Sequence, residues 1–169
     1  NATSYEPYKS NILTTSEEVE LRGIGDVKDE LDSMTGEVVN KFGEIVLNGD
    51  ENWKLYVSQP NQVNTVAFKL SLTNHVSSWA TGLGYCDKFS FTNGVVMYGQ
   101  DLECVTTDAI DLVVRVSLSK VSSVDEFKAW LSNNNMRVVY PLKEEVIKTV
   151  DLSVVDQDGN NTELKTFND

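Results

Sequence analysis

Two stretches of the chain show strict alternation of apolar and polar residues. The segments 63–72 and 110–118 place an apolar side chain at nearly every second position, among them Phe68 and Val114. Successive side chains of a strand point to opposite faces, so each segment is predicted to be a strand with one buried face. The chain therefore shows the repeat of a sheet protein along much of its length.

Weaker alternation predicts further strands at 27–32, 37–47, 53–57 and 137–142. The turn-forming residues 33–36 would join the first two as a hairpin. Gly43 interrupts its strand and indicates a bulge, and Pro141 indicates a strand end or a sheet edge.

The dipeptide Asn93-Gly94 lies between two strand-like runs, 89–92 and 95–98. Asn-Gly in this setting predicts a two-residue type I′ hairpin, since both central residues need positive φ. The register of such a turn would bring one set of side chains together on one face: Phe89, Phe91, Val96 and Tyr98.

One helix is predicted after the capping pair Ser122-Ser123, where Phe127, Trp130 and Leu131 follow at helical spacing until the run of asparagines at 133–135. Many short strands with one helix predict an all-β fold, an antiparallel β-sandwich over 10–155. The polar, turn-rich ends 1–9 and 156–169 are interpreted as linkers or strand extensions towards neighbouring modules.

The composition of the chain disfavours several classes of binding partner. The 169 residues carry 14 basic and 26 acidic side chains, a formal charge of −12, which disfavours nucleic acid and a polybasic membrane anchor. There is no apolar run long enough to insert in a membrane, and the N-terminus does not resemble a signal peptide. Because Met is missing at position 1, we interpret the chain as a fragment of a longer one.

The sequence offers few metal ligands and few nucleophiles. One histidine, His75, and two cysteines, Cys86 and Cys104, are too few for a zinc site, and no nucleophile motif surrounds them. The cysteines either bridge two strands or are small buried side chains. No cofactor is predicted; the acids near 26–32 and 87–103 are either solvated or bind calcium, although they lack the spacing of a defined calcium motif.

Sugar binding is the chemistry that remains. Sugars present flat C–H faces and hydroxyl groups, which aromatic rings and nearby carboxylates or amides contact. Between positions 79 and 101 the chain supplies both kinds of group: Trp79, Tyr85 and Tyr98 for stacking, and Asp87, Gln100 and Asp101 for hydroxyls. The alternative for each aromatic residue is packing within the protein.

Several motifs, taken in order, carry a family resemblance: Tyr5–Asn11, Leu21–Glu30, Gly43–Trp53, Asp125–Leu131, Val150–Leu152 and Asp156–Gly159. In this order they resemble a module of distal tail, tail-associated or tail-fibre proteins from phages of Gram-positive bacteria. The resemblance implies a jelly-roll carbohydrate-binding module without catalytic activity. It also implies location at the tail tip of a virion assembled in the host cytoplasm, with host cell-wall polysaccharide and other tail or baseplate proteins as partners.

Two other functions stay open. One is a structural spacer that docks neighbouring tail subunits, and the other is a glycan hydrolase domain with two facing acids. The acidic charge favours neutral saccharides over polyanionic wall polymers, unless Arg115, Arg137 and nearby lysines form a local basic patch.

Overall fold

The computed structural model describes residues 12–56, 62–155, 158 and 160–162. The expected linker 1–9, Val57 at the end of a predicted strand, and most of 156–169 lie outside the described residues. The strands are β1 Ile12–Thr15, β2 Gly23–Ile24, β3 Val27–Lys28, β4 Glu30–Leu31, β5 Glu37–Leu47, β6 Lys54–Tyr56, β7 Thr65–Ser71, β8 Tyr85–Cys86, β9 Ser90–Phe91, β10 Cys104–Thr107, β11 Asp111–Ser117, β12 Met136–Thr149, β13 Leu152–Val155 and β14 Asn161–Thr162. The helices are α1 Gly94–Gly99 and α2 Val124–Asn133.

Two sheets enclose the main core. One has five strands in the order β6-β7-β11-β10-β9, and the other has four in the order β4-β5-β12-β8. All neighbours in them are antiparallel except β9 and β10, which run parallel. Val114 of β11 and Val138 of β12 belong to the same buried cluster, so the sheets pack face to face. The predicted all-β sandwich is confirmed.

Helix α2 covers the core and is the helix that the sequence predicts. Ser123 caps it by accepting a hydrogen bond from the Glu126 amide at 3.2 Å. Phe127 is fully buried, stacked on Phe68 at 4.4 Å between ring centroids and edge-on to Trp53 at 4.9 Å. These ring contacts stabilise the packing of α2 on the sandwich.

The type I′ hairpin predicted at Asn93-Gly94 is wrong, because this dipeptide begins helix α1. The Asn93 side chain accepts a hydrogen bond from the Val96 amide at 3.0 Å, which is the geometry of an N-cap. Phe89 and Phe91 therefore do not pair with Val96 and Tyr98. Among the described residues, neither α1 nor α2 is long and apolar enough to cross a membrane.

The predictions for Gly43 and Pro141 are also wrong. Gly43 pairs in regular register with Tyr140, and a Cβ there would lie 2.8 Å from the tyrosine ring, so close packing rather than a bulge requires this glycine. The register shift lies between Pro141 and Val146, and Pro141 is a buried residue inside β12 rather than at an edge or strand end.

Two smaller sheets complete the described chain, and one of them consists of β2 and β3. The hairpin predicted through 33–36 is present, since β4 pairs with β5 and Gly36 has a φ of 75°. A separate sheet has the order β1-β13-β14, so Asn161–Thr162, within the segment expected to be a linker or strand extension, forms a strand.

Candidate functional site

The predicted site residues lie on the two opposite outer faces of the sandwich. Cys86 pairs with Val138 in the core, so Tyr85, one residue earlier, points outward from the four-stranded sheet beside Val139. Trp79 packs instead on the outer face of the five-stranded sheet. The sequence segment 79–101 therefore wraps around the sandwich and does not form one cluster.

Trp79 packs against the protein. A Cβ on Gly94 would lie 1.9 Å from an indole carbon, so the ring rests directly on the start of α1. Its edge meets the ring of Tyr98, with centroids 4.8 Å apart. Trp79 is half-buried in a second apolar cluster, formed with Ala67, Met97, Cys104 and Val113. Of the two alternatives for Trp79, stacking on a sugar or packing within the protein, the structure shows packing within the protein.

Tyr98, Gln100 and Asp101 also have structural contacts. The Tyr98 hydroxyl hydrogen-bonds to the hydroxyl of Tyr56, and burial, followed by this contact, raises the pKa of Tyr56. Gln100 is exposed, and its backbone amide donates to the Val96 carbonyl at the end of α1.

The carboxylate of Asp101 orders the start of β7. It accepts hydrogen bonds from the Thr65 hydroxyl at 2.6 Å and from the Asn64 amide at 2.8 Å, and these contacts lower its pKa. Its oxygens are therefore already used within the protein.

A groove lies on the outer face of the four-stranded sheet, with a cavity volume of about 250 Å³. It is lined by Glu20, Leu21, Arg22, Gly23, Ile24, Tyr85, Arg137 and Val139. Tyr85 is 46% exposed, and Val139 beside it is buried. The groove thus combines an accessible aromatic ring, an apolar floor and charged polar groups.

Glu44 of β5 holds the two arginines of the groove in place. Nε and Nη2 of Arg137 donate to the two oxygens of Glu44 at 2.8 and 2.9 Å, and Nε of Arg22 donates to Glu44 at 3.0 Å. Nη2 of Arg137 also donates to Glu20 at 2.7 Å. The hydrogen bond from Arg137, supported by Arg22, lowers the pKa of Glu44. These paired contacts fix the orientation of both guanidinium groups.

Asp87 adjoins the same groove. Its carboxylate accepts a hydrogen bond from the Arg137 backbone amide at 2.8 Å, and its own amide donates to the Arg137 carbonyl at 3.1 Å. Of the six predicted residues, only Tyr85 and Asp87 are brought together beside this groove.

Apart from Tyr85, the residues that line the groove were not among the predicted site residues. The alternation in 137–142 does place Arg137 and Val139 on one face, and Glu44 alternates with the core residues of its strand. The sequence pattern does not show that these two strands are neighbours, so it could not bring Glu44 and Arg137 together.

The other reactive side chains have structural positions. His75 is buried, and its Nε2 lies 2.9 Å from the Asp108 carbonyl. Cys86 and Cys104 are free and lie in different apolar clusters, and burial raises the pKa of both thiols. In the part of the chain that the structure describes, no three His, Cys, Asp or Glu side chains form a cluster suited to a metal ion.

Comparison of the chain with protein-family models, with curated proteins and with solved structures found no match.

Proposed function

We propose that this chain is a non-catalytic carbohydrate-binding β-sandwich, and that the groove beside Tyr85 is its sugar site. In keeping with the sequence resemblance, we place it in a tail or baseplate protein of a phage of Gram-positive bacteria. There it would attach the virion to host cell-wall polysaccharide, with other tail proteins as neighbours.

The observation that carries the proposal is the half-exposed ring of Tyr85 next to fixed hydrogen-bonding groups. A tyrosine ring offers an apolar face to the C–H groups of a sugar while its hydroxyl stays in water. Arg137, which Glu44 holds in place, supplies donors at the rim, and Glu20, hydrogen-bonded to Arg137, supplies acceptors. Such a site needs no rearrangement to receive hydroxyl groups, which reduces the ordering cost of binding.

The charges of the groove favour a neutral saccharide. Arg22 and Arg137 are both paired with Glu44, and Glu20 adds another acid, so no surplus of positive charge faces the ligand. Arg115 lies on the other sheet and is fully buried, so it forms no basic patch with Arg137. The hydrogen bond from Arg137 lowers the pKa of Glu44, whereas the acid of a hydrolytic pair needs a raised pKa, so Glu44 is a poor general acid.

Binding of a fluorescently tagged chain to host cells and to a glycan array tests the proposal. Tyr85→Ala removes the ring and should reduce cell decoration at least about tenfold, since stacking and apolar contact are lost together. Tyr85→Phe keeps the ring and should retain most of the binding.

Two further variants complete the experiment. Asp87→Asn should weaken binding less than Tyr85→Ala, because its carboxylate is already bonded to the Arg137 amide. Ile110→Ala, at an exposed position remote in sequence from the groove residues, is the matched control and should bind as the unmodified chain does. Undiminished decoration by a folded Tyr85→Ala chain would refute the site.

A structural spacer is the second candidate, because exposed apolar side chains occur on β1 and β12: Ile12, Leu13, Val146 and Ile147. Packing of Trp79 within the protein also favours it. A spacer would decorate no host cells and would bind purified neighbouring tail subunits.

A further inference from the structure

Arg115 is a fully buried charge in the middle of β11. Its neighbours across the five-stranded sheet are Ala67 on β7 and Cys104 on β10. Both belong to the cluster that Met97 of α1 covers, so the arginine side chain lies on the outer face of the sheet. This environment is apolar on several sides.

Within the described residues, the guanidinium group makes one hydrogen bond. Nη1 donates to the Thr65 hydroxyl at 3.1 Å, and that hydroxyl donates to Asp101 at 2.6 Å. Nε and Nη2 are buried without a hydrogen-bond partner in the described residues, which also supply no ion pair to Arg115. Asp101 is thus linked to the guanidinium group through the Thr65 hydroxyl.

An unpaired buried charge is costly. Removing a guanidinium group from water costs several kcal/mol unless an anion and full hydrogen bonding compensate it, and an apolar residue of similar size is often more stable. Burial accordingly lowers the pKa of Arg115. A buried polar group that the fold leaves unpaired needs an explanation, and a role in binding is one that its chemistry offers.

The two unpaired nitrogens also indicate which chemical groups the guanidinium group could bind. Nε and Nη2 lie on one edge of the planar guanidinium group, and their two N–H bonds match two oxygens of a carboxylate or phosphate. The titratable groups that face this charge are Tyr56, Tyr98, Asp101 and Cys104. The tyrosine hydroxyls now bond to each other and are donors that an oxyanion could use.

We propose that Arg115 forms a second binding site, which binds a carboxylate or phosphate group of a ligand. Helix α1 is the cover of this site and moves to admit the ligand. This site is separate from the groove beside Tyr85 and does not depend on the sugar-binding proposal.

The character of α1 supports its role as the cover. It has six residues, too few for a helix that is stable by itself, and it is bounded by Gly94 and Gly99. Val95 is 78% exposed on its outer side. The Gln62 amide group holds its end through the carbonyls of Met97 and Tyr98, while the Gln62 carbonyl oxygen is itself buried without a partner.

Thermal unfolding of the whole chain in phosphate, in glucuronate and in chloride, at equal ionic strength, tests the proposal. At ligand concentrations about tenfold above Kd, we expect the oxyanion to raise Tm by about 3 °C. A rise with phosphate alone indicates a phosphoester ligand, and a rise with glucuronate alone indicates a uronic acid. No rise with either would overturn the proposal.

Three variants test whether the rise in Tm comes from binding at Arg115. Arg115→Met removes the charge and should abolish the Tm rise, and Arg115→Lys keeps the charge without the planar edge and should lose most of it. Tyr85→Ala should keep the full rise, which separates this site from the groove. An equal rise in wild type and Arg115→Met would show that the anion binds elsewhere.

A measurement on the unmodified chain covers the case in which these variants do not fold. The Arg115 Nε–H resonance, observed by ¹⁵N NMR, should shift with saturation as the oxyanion is added. A resonance that stays constant up to saturating phosphate and glucuronate would contradict the proposal.

Discussion

Glu44 lies between two arginine side chains and hydrogen-bonds to both. Because its side chain is only 21% exposed, these contacts are poorly screened by solvent. The pKa of Glu44 is lowered from its ordinary value of 4.5, mainly by the hydrogen bond from Arg137. A group whose pKa is lower in the folded state stabilises the fold above the unfolded pKa, and this contribution is lost as pH falls through the folded pKa.

Glu44→Gln is therefore expected to reduce stability in a pH-dependent way. At pH 7 the free energy of unfolding should fall by about 1–2 kcal/mol, because two arginines lose their shared anion. The difference from wild type should begin to narrow near pH 4.5 and disappear as pH falls through the lowered pKa of Glu44, where the folded chain takes up the proton. Urea unfolding at a series of pH values measures both quantities.

Glu37→Gln, at an exposed position on the same strand, is the control and should change stability little at any pH. A deficit in Glu44→Gln that stays constant from pH 7 to pH 3 would contradict the assignment of the effect to this carboxylate.

At the scale of elements, helix α1 shows why local sequence patterns are ambiguous. Asn-Gly is favoured both in a type I′ turn and at a helix start, since Asn is a good N-cap. Here Asn93 caps a helix, and the glycine is required because the ring of Trp79 occupies the space that a side chain at position 94 would need. That contact comes from a loop earlier in the chain, so the dipeptide itself could not reveal it.

The two glycines of α1 give a matched test. Gly94→Ala should destabilise the chain by about 1–3 kcal/mol and shift tryptophan fluorescence to longer wavelength, because Cβ displaces the ring of Trp79. Gly99→Ala has no atom within 4 Å of its Cβ and should be neutral or stabilising by up to about 1 kcal/mol. Chemical denaturation followed by fluorescence measures both, and equal effects would contradict the packing argument.

Strands were predicted well where alternation was strict. The segments 63–72 and 110–118 contain β7 and β11, which pair over seven residues in the centre of a sheet. The Gly43 bulge was wrong because the sequence shows the missing side chain but not the Tyr140 ring that requires the space. Short strands such as β8 and β9 depend on their neighbours for stability and leave little local signal.

At the scale of the whole molecule, the sandwich explains why only part of the predicted site is found in one place. Neighbours in sequence can lie on opposite faces, so closeness along 79–101 did not bring the aromatic residues together. Tyr85 and Asp87 were predicted from residue type and lie beside the groove, whereas Arg137, Glu44 and Arg22 meet only through sheet pairing and a loop.

Stability should differ between the sandwich and the β1-β13-β14 sheet. β11 is buried along almost its whole length, whereas β1 has no buried residue and β13 has one, Val154. We expect backbone amides of β13 to exchange with deuterium at least about tenfold faster than those of β11, since local opening exposes little apolar surface. Exchange measured by NMR checks this, and similar rates in the two strands would show that they unfold as one unit.

The pairing of β1 with β13 also has a mechanical consequence. Ile12 and Val155 face each other at one end of this ladder, and Thr15 and Leu152 at the other. A force that pulls Ile12 and Val155 apart loads a single rung at a time, so the ladder unzips instead of shearing. The strands would peel apart under low tension and lengthen the chain while the buried sandwich, with both its outer faces, stays folded.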